Sequence, residues 1–255
     1  MGELLRIEKL RKYFGVVSAV DDIDLRIEEG VLTSVIGPNG AGKTTLINLL
    51  TGHTLPDSGR VFFEDKDITR SPIHKRIKMG ICRSFQIMNI FPRLSVFENV
   101  LIPVLSYLNQ SLSFFRPLAH HREANERAKK LLDEVCLIGK KNLLAGTLSH
   151  GDQRLLEIGL AMAPEPRLLF LDEPTAGMNP AERVTVLENI RRLSREKHST
   201  FVIIEHDMDI VFSLSDRIIV LHRGQILAEG EPEVIRKNED VRKVYLGEDL
   251  IWEKR

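Results

Sequence analysis

Cysteine is scarce in this chain of 255 residues: only Cys82 and Cys136, far apart. They fit no metal-ligand spacing and read as buried thiols in a reducing cytosol. An excess of either charge is missing as well. Lys plus Arg and Asp plus Glu both number 36, so the formal net charge is zero. That argues against a general nucleic-acid role, in which a basic excess supplies most of the affinity, although a local basic patch stays compatible with it. No long hydrophobic run is present. The longest uncharged stretch, Asn99 to Phe115, contains Pro103, Asn109, Gln110 and three serines. It is too short and too polar to span a bilayer, so any membrane role must come through a partner. No secretory leader is expected, because Glu3, Arg6, Glu8 and Lys9 already charge the first ten positions. Met1-Gly2 suits a myristoylation start, but position 6 is Arg rather than Ser or Thr. Internal repeats and low-complexity segments are also lacking. The length suits one large α/β domain, or a core with a satellite subdomain.

What is present is a phosphate-binding loop. Gly37-Pro38-Asn39-Gly40-Ala41-Gly42-Lys43-Thr44-Thr45 fits G-x-x-x-x-G-K-[ST]. Leu32 to Ile36, before it, is apolar and β-branched and reads as a buried parallel strand. Leu46 to Leu50, after it, continues as a helix. Strand, Gly-rich turn, helix is the context that separates such a loop from a chance match. The glycines let the backbone wrap closely around anionic oxygens, and amide groups at the helix N-terminus point at them. Lys43 can reach β- and γ-phosphates, and the Thr44 hydroxyl can face Mg²⁺.

Around this unit the pattern is mixed. Leu4–Leu10 and Ala19–Ile27 alternate apolar and charged residues, as half-exposed antiparallel strands do. Val61–Phe63 and Asp67–Thr69 read as short strands about a turn, and Gly80–Gln86 as another. From Ser95 to about Gly146 the pattern is helical. Within it Arg122–Val135 is amphipathic, with Ala124, Ala128, Leu131, Leu132 and Val135 on one side. Gly151–Ala163 is a helix stopped by Pro164 and Pro166. Strand Arg167–Leu171, helix Ala181–Lys197 and strand Thr200–Ile204 make a right-handed βαβ unit. Strands near Arg217–Leu221 and Ile226–Glu229 precede a polar helical tail. The expected fold is α/β: a phosphate-loop NTPase core, mainly parallel sheet, with an antiparallel β subdomain and an inserted helical subdomain. The core with its antiparallel part takes 1–94 and 164–255, the helical subdomain 95–163, and the tail 231–255 of the single domain 1–255.

Other residues carry chemistry. Asp172 and Glu173 close a hydrophobic strand, and in a phosphate-loop fold the carboxyl end of such a strand lies beside the nucleotide. Asp172 can hold Mg²⁺ through its water shell, and Glu173 is placed to orient or deprotonate an attacking water. Gln86 ends a strand with a neutral amide that can touch both Mg²⁺ and that water; a strand-end Gln is also commonly just solvated. His206, in Glu205-His206-Asp207, follows a strand directly. It is either a γ-phosphate sensor or a helix-capping or surface residue. In Leu148-Ser149-His150-Gly151-Asp152-Gln153-Arg154, Ser149 is a good N-cap, and open amides there favour an anion. The same stretch also reads simply as a capped helix start.

In order, the phosphate loop, Gln86, Leu148-Ser149-His150-Gly151, Leu171-Asp172-Glu173-Pro174-Thr175 and His206 resemble the nucleotide-binding subunit of ATP-binding-cassette (ABC) transporters. The resemblance covers nearly the whole chain. It implies an ATPase using ATP and Mg²⁺, with Glu173, His206 and Gln86 catalytic, and Thr44, Gln86 and Asp172 at the metal. It implies that Tyr13 or Phe14, in Tyr13-Phe14-Gly15, stacks on adenine, with Phe14 preferred. It further implies that Ser149, His150, Gly151 and Asp152 meet the γ-phosphate of ATP held by an opposite subunit. Two departures stand out. His150 and Asp152 replace the Gly and Gln of Leu-Ser-Gly-Gly-Gln, and Asn179 stands where the loop after Glu173 usually has Asp. Gly177-Met178-Asn179-Pro180-Ala181-Glu182 and Val244–Glu248 are similar to the ATPase subunits of branched-chain amino-acid importers. Close relatives of those serve urea-type importers and lipopolysaccharide export. The implied partners are transmembrane permease subunits, a second ATPase subunit (identical or a paralogue) and, indirectly, a substrate-binding protein, with no nucleic acid. The implied location is the cytoplasmic face of the inner or plasma membrane, held peripherally through the permeases. Phe91, Pro92, Leu94 and Phe97 read as part of a docking groove or as core. Two other readings are a soluble ABC protein of DNA repair or translation and a phosphoryl-transferring kinase. The chain has no long coiled-coil insert or second cassette for the former, and the latter needs neither a Ser149-type motif nor His206.

Overall fold

The computed structural model describes residues 2–84, 90–108, 121–196 and 199–246. The chain forms two compact units, residues 1–76 with 200–255 and residues 77–199.

In the first unit, β1 (Glu3–Phe14) and β2 (Val17–Glu28) form a long antiparallel hairpin. Strand β4 (Ser58–Phe63) extends it and β5 (Lys66–Asp67) closes the edge. Leu5, Ile7, Leu10, Val20, Ile23, Leu25 and Ile27 bury the inner face, as the alternation of apolar and charged residues requires. A second sheet is built on β3 (Thr33–Ile36), whose four residues are all buried. It runs parallel to β8 (Thr200–Ile204) on one side and to β9 (Arg217–His222) on the other. β10 (Gln225–Gly230) adds to β9 antiparallel. A strand paired on both edges and covered on both faces needs a continuous apolar run rather than alternation.

Helix α1 (Lys43–Thr51) follows β3 and buries Leu46, Ile47, Leu49 and Leu50. Helix α2 (Ile73–Lys78) comes at the end of this segment. After β8, Asp207 caps α7 (Met208–Leu214) by accepting from the amides of Asp209 and Ile210 at 3.1 and 3.4 Å. The tail is helical as expected but not only polar. Ile235 of α8 (Pro232–Lys237) and Val241 and Tyr245 of α9 (Glu239–Leu246) complete a core with Ile36, Val211, Ile218 and Val220.

In the second unit, β6 (Ile81–Arg83) pairs in parallel with β7 (Leu168–Asp172), whose five residues are buried. Ser95 opens α3 (Val96–Tyr107) with a capping box. Its Oγ accepts from the Glu98 amide, while Glu98 Oε2 accepts from the Ser95 amide at 2.7 Å. Helix α4 (Arg122–Glu134) buries Ala124, Ala128, Leu131 and Leu132, the face its period predicts, and Val135 beyond it is buried too. Helices α5 (His150–Met162) and α6 (Pro180–Glu196) complete the unit.

Three expectations are corrected. The first hairpin runs past Leu10 to Phe14, through a bulge at Lys9, whose φ is +46°. The helix after Leu148 begins at His150 rather than Gly151, so Gly151, Asp152 and Arg154 lie within its first two turns. Of the two cysteines, Cys82 is buried but Cys136 is exposed. Cys136 has φ +58° directly after the C-cap of α4, the left-handed position that ends many helices, and the chain there faces solvent. Among the described residues no helix is long and apolar enough to cross a membrane.

Candidate functional site

The chemistry-bearing residues fall into two sets, one in each unit. The first surrounds the glycine-rich loop. Two of its glycines are required by close approach: a Cβ on Gly37 would stand 2.2 Å from the Leu221 carbonyl oxygen, and one on Gly42 2.2 Å from that of Ala19. Gly42 also has φ +102° and immediately precedes α1. The turn is closed by the Ala41 amide donating to the Pro38 carbonyl at 3.1 Å, and Gly224 donates to the Ala41 carbonyl at 3.0 Å. Lys43 Nζ folds back over the loop and donates to the carbonyls of Gly37 at 2.6 Å and Pro38 at 3.1 Å. A cation is thus held at the mouth of a loop whose helix-terminal amides also favour negative charge. Asn39, Gly40 and Thr44 are exposed, Ala41 is buried, and Thr45 is half-buried.

Two further groups belong to this unit. At the tip of the first hairpin, Tyr13 and Phe14 are 42% and 55% exposed, too open for core residues. Asp57 fixes that tip, accepting from the Tyr13 amide at 2.7 Å and from Lys12 Nζ at 2.9 Å. The amide hydrogen bond and then Lys12 hold the Asp57 carboxyl below the usual carboxylate range. Lys12 Nζ also lies 5.5 Å from the centre of the Phe14 ring. His206 is exposed two residues beyond the end of β8, and it is Asp207, not His206, that caps α7.

The second set lies at the carboxyl end of β7. Asp172 is buried, and its Oδ2 accepts from Arg83 of β6 at 2.5 Å. Glu173 is half-buried with φ +44°, a left-handed conformation that a residue with a Cβ adopts only at a cost. Ser149 caps α5, its Oγ accepting from the Asp152 amide at 3.2 Å. Ser149 and His150 are exposed and Gly151 is buried. The Gly151 amide donates to Glu182 Oε1 at 3.3 Å. The carboxylate of Glu182 thus stands as an anion on the N-terminus of α5. Gln86 lies outside the described residues.

The structure gives both departures from the family pattern a partner. Asp152 forms an ion pair with Lys140. Asn179 Nδ2 donates to Glu182 Oε2 at 2.8 Å while its Oδ1 accepts from the Glu182 amide at 3.0 Å. An aspartate at 179 could accept that amide but would turn a second carboxylate toward Glu182. Lys140, Glu182, Arg83 and Arg154 were not found by reading the sequence. Only Asn179-Pro180-Ala181-Glu182 carried a usable signal, a capping pattern with Glu three residues after Asn.

The family model described as ABC transporter matches residues 20–176, and the one described as branched-chain amino acid ATP-binding cassette transporter matches residues 225–250. The chain is 42% identical over 250 residues to the high-affinity branched-chain amino acid transport ATP-binding protein BraF of Pseudomonas aeruginosa, covering 96% of this chain and 98% of that protein. It is 40% identical over 253 residues to LivG of Escherichia coli, covering 96% and 98%. Among solved structures it resembles the ADP conformation of MJ1267, an ATP-binding cassette of an ABC transporter. There the TM-score is 0.86 at 37% identity, over 97% of this chain and 100% of that one. It also resembles a dimeric post-hydrolysis cassette bound to ADP and phosphate, with a TM-score of 0.73 at 25% identity, over 90% and 99%. With a family model spanning residues 20–176 and such relatives along nearly all of its length, the chain belongs to the ABC transporter family and is an ATP-hydrolysing cassette of it.

Proposed function

We propose that this ATPase drives an importer of branched-chain amino acids, working as one of two cassettes beneath transmembrane permease subunits that a substrate-binding protein supplies. The observation that carries the cargo is the match of residues 225–250 to the branched-chain amino acid cassette model, in a segment where α8 and α9 pack into the core. Neither helix needs to touch the cargo, so this assignment is by association of families rather than by chemistry. Permease docking is supported by an exposed apolar patch. Phe91, Leu143 and Leu144 are 54%, 49% and 50% exposed. They sit on two loops tied together by the Ala145 amide on the Leu94 carbonyl and the Val96 amide on the Leu143 carbonyl, both at 2.9 Å. Pro92 is exposed beside Phe91, whereas Leu94 and Phe97 are half-buried. Such a patch is what a partner would cover, and it would hold the chain peripherally at the cytoplasmic membrane face.

In this reading Phe14 stacks on adenine. The loop Gly37 to Thr45 cradles the phosphates, with Lys43 contributing its charge. Glu173 orients the attacking water and takes its proton as the bond from oxygen to the γ-phosphorus forms and the bond to the leaving ADP breaks. Gln86 helps place that water, and His206 donates to the γ-phosphate. In the segment Ser149, His150, Gly151 and Asp152, it is Ser149 and Gly151 that face the γ-phosphate held by the second cassette, while the Asp152 side chain turns away from it to Lys140. The hydroxyl of Thr44 and the carboxylate of Asp172 are hard oxygen donors of the kind Mg²⁺ takes, and with Gln86 they would hold it. When bound, Mg²⁺ neutralises charge on the transferring phosphoryl group.

The decisive variant is Glu173→Gln. It should keep ATP affinity and lose at least about 100-fold in kcat, because it removes help given only in the transition state. Near-normal turnover would remove Glu173 from this role. For the cargo, deleting the gene should abolish high-affinity uptake of leucine, isoleucine or valine. Unchanged uptake of all three, with a defect in urea uptake or envelope lipid export, would move the assignment to a sister group.

A further inference from the structure

Helix α5 carries a charged residue that no motif role uses. Arg154 is only 7% exposed and forms an ion pair with Glu157, 6% exposed, at 2.7 Å. Its remaining donors do not turn to solvent. They converge on the backbone of the turn after β7. Nη2 donates to the Glu173 carbonyl at 2.7 Å and, more weakly, to that of Asp172 at 3.4 Å. Nε donates to the Pro174 carbonyl at 3.1 Å.

These carbonyls have a specific geometrical meaning. The Asp172 carbonyl belongs to the peptide plane before the Glu173 Cα, and the Glu173 carbonyl to the plane after it. The two planes together define φ and ψ of Glu173. One guanidinium therefore ties both, and it does so at a residue held at φ +44°. A left-handed non-glycine residue persists only where its surroundings over-determine it. The rigid planar fork of arginine, balanced by Glu157, supplies that constraint.

We infer that Arg154 is a positioning residue for ATP hydrolysis: it fixes the backbone of Glu173 so that the carboxylate meets the attacking water. The inference rests on the reading of Glu173 given above. Arg154 touches no nucleotide in this account and acts only through Glu173. Because it lies five residues beyond the cap Ser149 on one helix, it also fastens the segment 149–152 to the turn that bears Glu173.

Arg154→Lys tests this. Lysine keeps a cation opposite Glu157 but offers one compact donor centre instead of a fork, so it cannot hold both peptide planes. A displacement on the order of 1 Å at a reacting group can cost about 100-fold, so kcat should fall roughly 10- to 100-fold. The ATP dissociation constant of the monomer should stay within about twofold, since ground-state contacts are untouched. The discriminating measurement is the same substitution in the Glu173→Gln background. A residue acting only through Glu173 then has nothing left to position, so residual hydrolysis should change by less than about twofold. Normal kcat in Arg154→Lys, weakened ATP binding, or an equal further loss in the Glu173→Gln background would each overturn the inference. Near-normal turnover of Glu173→Gln alone would instead overturn the assignment of Glu173. If Arg154→Lys does not fold, the charge-free pair Arg154→Gln with Glu157→Gln is read by the same three measurements.

Discussion

Replacing Arg76 with methionine should remove a substantial part of the protein's stability. Arg76 is fully buried, at 0% exposure, in the segment that receives the end of the phosphate-loop helix. It donates to five backbone carbonyls: Leu49 and Leu50 at 2.7 Å, Ile68 at 2.8 Å, Ser71 at 2.9 Å and Thr69 at 3.0 Å. Two of these lie in the last turn of α1, where the helix dipole is negative and a cation is favoured. Burial pushes the guanidinium down from its ordinary 12.5 to about 10. It is still charged at neutral pH, and the shift corresponds to roughly 3 kcal/mol of desolvation cost. Hydrogen bonds from a charged donor contribute at least about 1.5 kcal/mol each, so five contribute roughly 7 or more. The net loss on Arg76→Met is therefore roughly 4 kcal/mol, out of a total that rarely exceeds about 15. At about 2–4 °C per kcal/mol for a chain of this size, the melting temperature should drop by roughly 10 °C. Arg76→Lys should fall between the two, because an ammonium has only three donors for the five carbonyls. The assay is urea and thermal unfolding of the purified variants. A fall of less than about 3 °C for Arg76→Met would show that the carbonyls find other partners and that the reasoning is wrong.

Two smaller predictions follow from side chains outside the nucleotide site. Asn179→Asp should keep the helix cap but set a second carboxylate against Glu182. The expected loss is about 1 kcal/mol or less and larger in low salt; no salt dependence in the melting difference would refute it. A thiol reagent should modify one equivalent in the native protein, at exposed Cys136, and the second only after unfolding. Cys82 is buried and its thiol is pushed up to about 12 by burial, so rapid loss of two native thiols would contradict the fold.

How much of this was legible depends on where the partner of each residue lies in the chain. The phosphate loop was fully readable because β3, the glycines and α1 are contiguous, and each local preference agrees with the fold. The cap at Ser149 and the apolar face of α4 were readable for the same reason, one or two turns being enough to define them. The first hairpin was underestimated because its bulge at Lys9 shifts the register, and alternation fails there. Cys136 was misread because a cysteine is usually buried, while its place after a helix cap outweighs that tendency. Arg76 and Arg154 were invisible for a different reason. A charged residue in a helix reads as a solvated face, and apart from Glu157 beside Arg154 their partners are backbone carbonyls, which every residue has. Nothing in a one-dimensional pattern says which carbonyls a fold will leave unsatisfied.

The same distinction bears on the two departures from the family motif. Read alone, Asp152 is unfavourable for a segment meant to meet a phosphate, because it brings a negative charge into the first turn of α5. In the folded chain that charge is not isolated. Lys140, twelve residues earlier and outside the motif, pairs with it, with side-chain exposures of 45% for Lys140 and 19% for Asp152. The pair contributes little stability at such exposure, about 1 kcal/mol or less. Its effect is on the local field: the carboxylate is turned to a cation rather than to the helix axis. Asn179 works in the same direction, since the neutral amide binds Glu182 where an aspartate would add charge. Glu182 in turn rests on the Gly151 amide, which shows that this helix end accepts an anion from this chain itself. Ser149 thus stays exposed at the N-terminus of α5, where its proposed role needs it, while the buried Gly151 amide is met by Glu182 from this chain.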